Sequence, residues 1–279
     1  MTSTALPAPK PRIDASADQN GNAAAGLAAP AERAPSWNRS PYALPGLTIV
    51  LPCFNEEANV ADAIRMAVSA CELCADDYEI IVVDDGSSDA TAAIAAEFAD
   101  ADRHVRLVLH AHNRGYGDAV RSGVDAARMP WLLLTDADLQ FDLRELKDFL
   151  PRAQTADVVM GWRINRQDPF HRRANAAAWN WLVAHLFDIP VRDVDCAFKL
   201  VRTSFAQNAG LASTGAMIST ELLVKCLAAG ARLEEQGVMH RPRVAGQSSG
   251  ANPRVVVRAF RELAGLRRSL RTLASGLPA

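Results

Sequence analysis

The chain has 279 residues, 30 Lys and Arg against 32 Asp and Glu, a formal net charge of -2, and 49% hydrophobic residues. That length supports a sizeable core in one large domain or two small ones. The near-neutral balance excludes nucleic acid as a general partner, since no basic excess exists to bind a phosphate backbone.

Residues 1–45 hold seven of the fifteen prolines, with many Ala, Ser, Asn and Gly and no hydrophobic periodicity. Such a composition does not offset the entropy of ordering and predicts a disordered N-terminal tail. It also lacks the charged n-region and apolar core of a secretory signal. No later apolar stretch reaches the ~20 residues of a membrane-spanning helix. Five cysteines, Cys53, Cys71, Cys74, Cys196 and Cys226, form a sparse, odd set, which predicts a reduced, cytosolic chain.

From Leu47 the pattern is regular. "LTIVLP" predicts a first strand, and "EEANVADAIRMAVSACEL" the helix after it. Within that helix Cys71 and Cys74 carry the spacing of a redox pair or half a zinc site. No second CxxC or His pair accompanies them, so packing is the expected role. "YEIIVVDD" predicts a second buried strand and "SSDATAAIAAEFA" its helix. "VRLVLH" is a third strand, leading into "GDAVRSGVDAAR", where Gly123 allows close helix packing. "WLLLTD" is a fourth, followed by a helix over Leu143–Leu150, and "DVVMGW" a fifth. Beyond residue 163 come the apolar helix "NAAAWNWLVAHLFDIP", the strand "DVDCAFKLVR", a helix near Ile218–Ala229, a strand near Arg232–Met239 and a basic terminal helix.

Strands alternating with helices predict βαβ crossovers and a mostly parallel sheet flanked by helices, an α/β domain over 46–250. In such sheets ligands bind beyond the carboxyl ends of the strands. Asn55-Glu56, Asp84-Asp85, Asn113-Arg114 and Asp136-Asp138 all follow strand runs, so four polar clusters converge on one sheet edge. A P-loop is excluded by the lack of GxxxxGK[ST], and a dinucleotide fingerprint by the absence of a glycine triplet after the first strand.

"LPCFNEE", "VVDDGSSDAT", "HNRGYGDA", "TDADLQFD" and "DVDCAFKLVR", in this order, resemble the family 2 inverting glycosyltransferases of GT-A fold, and among them the polyprenol-phosphate sugar transferases. The resemblance implies transfer of a hexose from a nucleotide diphosphate sugar, of GDP-mannose or UDP-glucose type, to a dolichyl or undecaprenyl phosphate. It implies Asp136 and Asp138 as DxD ligands of Mg²⁺ or Mn²⁺ and diphosphate, with Gln140 beside the metal. By the same resemblance, Pro52, Phe54 and Glu56 would line the base pocket, Asp84 or Asp85 would read base and ribose, and Asn113 and Asp118 would join the donor side. Arg163, Arg172, Arg173 and Arg243 match arginines that hold the acceptor phosphate. Two features depart from the pattern: Ala197 stands where Gly is frequent, and Ser249 where Lys is common.

The chemistry has its own logic. A leaving diphosphate is stabilised by a hard divalent cation bridging phosphate and carboxylate oxygens. Asp138 also suits a helix N-cap, and Asp85-Gly86-Ser87-Ser88 a turn. A lipid phosphate is already ionised and needs positioning cations more than a base; a single such arginine equally suits a solvated face. A hydroxyl acceptor on a saccharide, lipid or natural product would instead require a base, and Asp193, Asp195 and Glu221 are the carboxylates of that half. A third reading is an inactive nucleotide-sugar-binding module.

The last segment, 251–279, carries Arg254, Arg258, Arg261, Arg267, Arg268 and Arg271 against Glu262, with apolar residues at helical spacing. It reads as a membrane-surface helix, or as a terminal helix docked on the domain with a solvated basic face. Trp179 and Trp181 suit an interface or a core. The expected location is the cytoplasmic face of a membrane, without a span.

Overall fold

The computed structural model describes residues 39–164, 170–189, 191–242, 259–268 and 270. Seven strands form one sheet: β1 (Leu47–Cys53), β2 (Tyr78–Asp84), β3 (Val105–Leu109), β4 (Trp131–Leu134), β5 (Val158–Ile164), β6 (Lys199–Arg202) and β7 (Leu233–Met239). Their order is β3-β2-β1-β4-β6-β5-β7. β1 to β4 pair in parallel, β5 pairs in parallel with β7, and β6 alone runs against its neighbours β4 and β5. The expected mostly parallel sheet is therefore present, with one difference. "DVVMGW" does not extend the series beside β4, because β6 inserts between β4 and β5.

β1 and β2 are buried along their whole length, as the unbroken apolar runs require for strands covered on both faces. On one face lie α1 (Val60–Cys74), α2 (Thr91–Ala101), a 3₁₀ turn (Leu143–Asp148) and the short α4 (Leu150–Ala153). On the other lie α3 (Tyr116–Ala126), α5 (Phe170–Phe187), α6 (Thr203–Asn208), α7 (Ile218–Ala228) and a helix over 259–268, α8. The helix expected over 143–150 is thus a 3₁₀ turn that passes into α4. Asp142 caps it, accepting from the Arg144 amide at 3.1 Å.

All five cysteines are buried and free. Cys71 and Cys74 face the core from α1, and burial pushes the Cys74 thiol up to about 12 and that of Cys71 well above its usual value. The folded unit begins earlier than residue 46. Ser40 and Leu44 donate their amides to Leu73 and Cys74, and Leu44 is buried. The rest of the expected tail, 1–38, lies outside the described residues. At the other end α8 is docked, with Leu263 and Leu266 buried against the α3 face of the sheet.

Gly123 performs the expected packing. A Cβ there would lie 2.3 Å from Val50 Cγ1 on the central strand. Gly123→Ala should cost about 1–3 kcal/mol through overpacking, more than the ~1 kcal/mol that alanine gains in helix propensity. A lowered midpoint in urea unfolding is the expected result. Asp157, at the start of β5, accepts from the Arg232 amide and guanidinium at 3.0 Å each. Arg232 holds its carboxyl at about 2, below the ordinary value of about 4. The stabilisation is fully present above about pH 4 and disappears as pH falls to about 2. The stability difference between the native chain and Asp157→Asn should therefore shrink over that range, measured by urea unfolding at stepped pH.

Candidate active site at the carboxyl edge of the sheet

β1 and β4 are parallel neighbours, with Val50 opposite Leu134, yet β1 leads to β2 on one side while β4 lies on the other. This reversal opens a crevice at the strands' carboxyl ends, the usual ligand position in open α/β sheets. The four loops expected to converge do so here.

The β1 and β2 loops are stitched together. Asn55, at φ 54°, donates its amide to Ser87 Oγ at 2.9 Å and accepts from the Ser88 amide at 2.8 Å. The Glu56 amide donates to Thr91 Oγ1 at 2.8 Å, and Glu57 accepts from the Ala90 amide at 3.0 Å. Asn tolerates this left-handed conformation better than most side chains. Pro52 is buried, Glu56 half-buried and Phe54 46% exposed, so Phe54 stands at the mouth of the crevice.

Neighbouring Asp84 and Asp85 serve different structures, since successive side chains leave a strand on opposite faces. Asp85 Oδ1 lies 2.7 Å from His110 Nδ1 and accepts from the Arg114 amide at 2.9 Å, while Oδ2 accepts from the Gly115 amide at 2.8 Å. His110 Nε2 in turn lies 2.9 Å from Ser122 Oγ on α3. Asp85 therefore builds the β3 loop. Asp84 accepts from the Ser87 amide at 3.1 Å through Oδ2, and its buried Oδ1 has no hydrogen-bond partner among the described residues. A buried unpartnered oxygen calls for an explanation, and a ligand group is one. Asn113 is exposed on this rim, whereas Asp118 is paired with Arg121.

The DxD segment leaves β4 in a strained turn. Leu139 adopts φ 60°, a conformation costly for a branched side chain and typical of sites where geometry outranks comfort. Asp138 is buried and accepts from the Gln140 amide at 3.2 Å; Asp136 is half-buried. Tyr116, at the start of α3, donates its hydroxyl to Asp136 Oδ1 at 3.0 Å. Burial and the Asp136 charge push the Tyr116 hydroxyl well above its usual value, so it remains the donor. Thr135 Oγ1 is a second buried oxygen without a partner among the described residues. The helix-cap alternative for Asp138 falls to Asp142 instead.

Gln140 ties this turn to the chain beyond β7. Its Nε2 donates to the Arg241 carbonyl at 3.2 Å, and the Arg241 amide donates back to the Gln140 carbonyl at 2.8 Å. No group of three or more His, Cys, Asp or Glu side chains forms a cation cage among the described residues. Two hard carboxylates beside an orphan hydroxyl fit a Mg²⁺ or Mn²⁺ that takes its remaining oxygens from diphosphate and water.

In the acceptor half, Arg163 on β5 grips Asp193 through two guanidinium bonds of 2.6 and 2.7 Å. Asp195 is exposed. Glu221, expected as a candidate base, has its carboxylate turned to the fold. It accepts from the Ala212 and Ser213 amides at 3.0 and 2.7 Å and pairs with Lys225 at 2.7 Å. Burial opposes its charge, but these partners together hold the carboxyl below its ordinary value. Arg243 and Ser249 lie outside the described residues, as do the side chains of Arg172 and Arg173. Tyr116, Thr135 and Lys199 escaped the sequence reading. All three lie inside quoted motifs, Tyr116 in "HNRGYGDA", Thr135 in "TDADLQFD" and Lys199 in "DVDCAFKLVR", which was the signal available.

The family model for glycosyl transferase family 2 matches residues 48–223. Dodecaprenyl-phosphate galacturonate synthase of Rhizobium johnstonii is 29% identical over 72% of this chain and 61% of that protein. Undecaprenyl-phosphate 4-deoxy-4-formamido-L-arabinose transferase of Enterobacter sp. is 32% identical over 56% of this chain and 48% of its own length. The chain thus spans about half to three fifths of these two relatives. An uncharacterized glycosyltransferase of Mycobacterium tuberculosis is 32% identical over 72% of this chain and 88% of its own. In fold, the chain is similar to glucosyl-3-phosphoglycerate synthase of Mycobacterium tuberculosis, solved with Mn²⁺ and UDP, at TM-score 0.58 and 17% identity over 84% of this chain and 81% of that one. A match over more than half of the chain places it in glycosyl transferase family 2.

Proposed function

We propose that the chain transfers a hexose from a GDP- or UDP-linked donor to a polyprenyl phosphate, with Mg²⁺ or Mn²⁺ held at Asp136 and Asp138. The observation that carries this reading is the meeting of the DxD carboxylates, Tyr116 and two orphan buried oxygens at the strand-order reversal. The relatives' names, which specify dodecaprenyl and undecaprenyl phosphate, support the lipid acceptor.

When bound, the cation offsets charge on the departing diphosphate. Tyr116 orients Asp136 and keeps it from turning away. Asp84, through its unpartnered oxygen, accepts from base or ribose, and Pro52, Phe54 and Glu56 form the wall beside it. Gln140 holds the DxD turn closed against residue 241. Arg163, fixed in direction by Asp193, presents charge to the incoming phosphate together with Arg172, Arg173 and Arg243. The attacking oxygen is already anionic, so no proton needs to be removed, and in-line attack inverts the anomeric centre. Glu221, tied to two amides and Lys225, is a poor base for a hydroxyl acceptor.

The α5–α8 face suits a membrane surface. Trp181 is 66% and Phe260 50% exposed, and a groove of about 440 Å³ runs between Leu182, Leu186, Leu263 and Ala264, edged by Arg267 and Arg268. No helix among the described residues is long and apolar enough to cross a membrane. Apolar side chains beside arginines match interfacial binding to anionic lipid.

Asp138→Asn should lower transfer of labelled sugar into the organic phase by at least ~100-fold, measured by extraction with Mn²⁺ present. Full metal-dependent transfer by that variant would end the DxD reading, and a water-soluble product from the native chain would favour a hydroxyl acceptor. Trp181→Ala with Phe260→Ala should weaken co-sedimentation with phosphatidylserine vesicles about tenfold while leaving nucleotide binding unchanged. Equal sedimentation by native and variant chains would remove the surface from the membrane reading.

A further inference from the structure

Lys199 is a charged side chain wholly enclosed by the fold. Its side chain is 1% exposed, and it ranks with Trp131 and Phe149 among the largest fully buried side chains. It opens β6, directly opposite Leu134 of β4, two residues before Asp136. Its ammonium donates to the Cys196 carbonyl, on the turn that also carries Asp193 and Asp195. Among the described residues, no carboxylate lies within 4.0 Å of it as an ion pair. Burying an ammonium that has a carbonyl but no carboxylate in contact costs several kcal/mol, so the nearby charges must offset that cost from a distance. Burial pulls the Lys199 ammonium below its usual range, and the negative charges of Asp195, Asp193 and Asp136 oppose that pull.

The interaction is reciprocal. If the carboxylates support the ammonium, the ammonium lowers the negative potential at the carboxylates. That potential matters twice, because the site must attract a divalent cation and also admit a polyanionic donor. We propose that Lys199 is a positioning residue that sets the charge balance of the DxD site, weakening its hold on a bare cation in order to reduce its repulsion of nucleotide diphosphate. It touches neither ligand. This inference rests on the donor reading above and deepens it, by naming the residue that tunes that site for an anionic partner.

A buried charge within the site's low-dielectric surroundings shifts affinities by roughly tenfold. Lys199→Met keeps the chain length and removes the charge. In the full chain, Mn²⁺ binding without nucleotide, followed by electron paramagnetic resonance, should tighten about tenfold. Binding of GDP or UDP without metal, followed by calorimetry, should weaken by a similar factor. Opposite signs are the signature, because a merely structural role would weaken both. The double variant Lys199→Met/Asp195→Asn removes one charge of each sign and should return both affinities towards native values. It also protects the test if the single variant folds poorly. Loss of both affinities in the single variant without recovery in the double would overturn the proposal, as would no change in either. A native chain that binds Mn²⁺ but neither nucleotide would sink the donor reading, and the Mn²⁺ shift would then decide the role of Lys199 alone.

Discussion

The pairing of β1 with β4 is the constraint on which the site depends. It places the end of the first strand beside the end of the fourth, with Thr135 donating its amide to the Val50 carbonyl at 3.3 Å. Strands separated by some eighty residues in sequence thereby deliver a base-side wall and a carboxylate pair to one crevice. Gly123 is part of the same constraint, since α3 must lie against Val50 for Tyr116 to reach Asp136. Sheet, helix and site share a single piece of packing.

Crowded carboxylates at a sheet edge would repel one another unless each had a local solution. The structure supplies different ones. Asp85 is satisfied by a histidine and two amides, Asp193 by Arg163, and Asp142 by Arg144 and Arg241. Asp84 retains an oxygen without a partner among the described residues, and Asp136 accepts from a tyrosine. The division separates groups spent on architecture from groups left facing the crevice. Neighbours such as Asp84 and Asp85 look equivalent in a string of letters, and only the alternation of a real strand assigns them separate duties.

Much of this was legible in advance. Period and turn chemistry placed six of the seven strands to within about two residues, and the strand-end rule pointed to the candidate crevice, because both follow from local sterics and burial; "DVDCAFKLVR" overran, since β6 begins only at Lys199. What was hidden depended on distant partners. Nothing near "FKLVR" announces that Lys199 is wholly enclosed, and nothing near Glu221 announces that two amides and Lys225 occupy it. The insertion of β6 between β4 and β5 was equally invisible, since strand order is a property of crossovers and not of the strands. Residue 46 looked like a boundary because Pro and Ala precede it, although Leu44 is in the core.

The reciprocal clasp between Gln140 and Arg241 has a consequence for how such chains diverge. Two short segments separated by a hundred residues share a pair of hydrogen bonds, and Arg241 also reaches Asp142 at 2.9 Å. Residues joined in one network respond non-additively to substitution. Both bonds to residue 241 use its backbone, so that anchor survives a change of side chain there, whereas the Arg241–Asp142 pair does not. The turn is thus held by one contact indifferent to the sequence of the last strand's exit and one that depends on it.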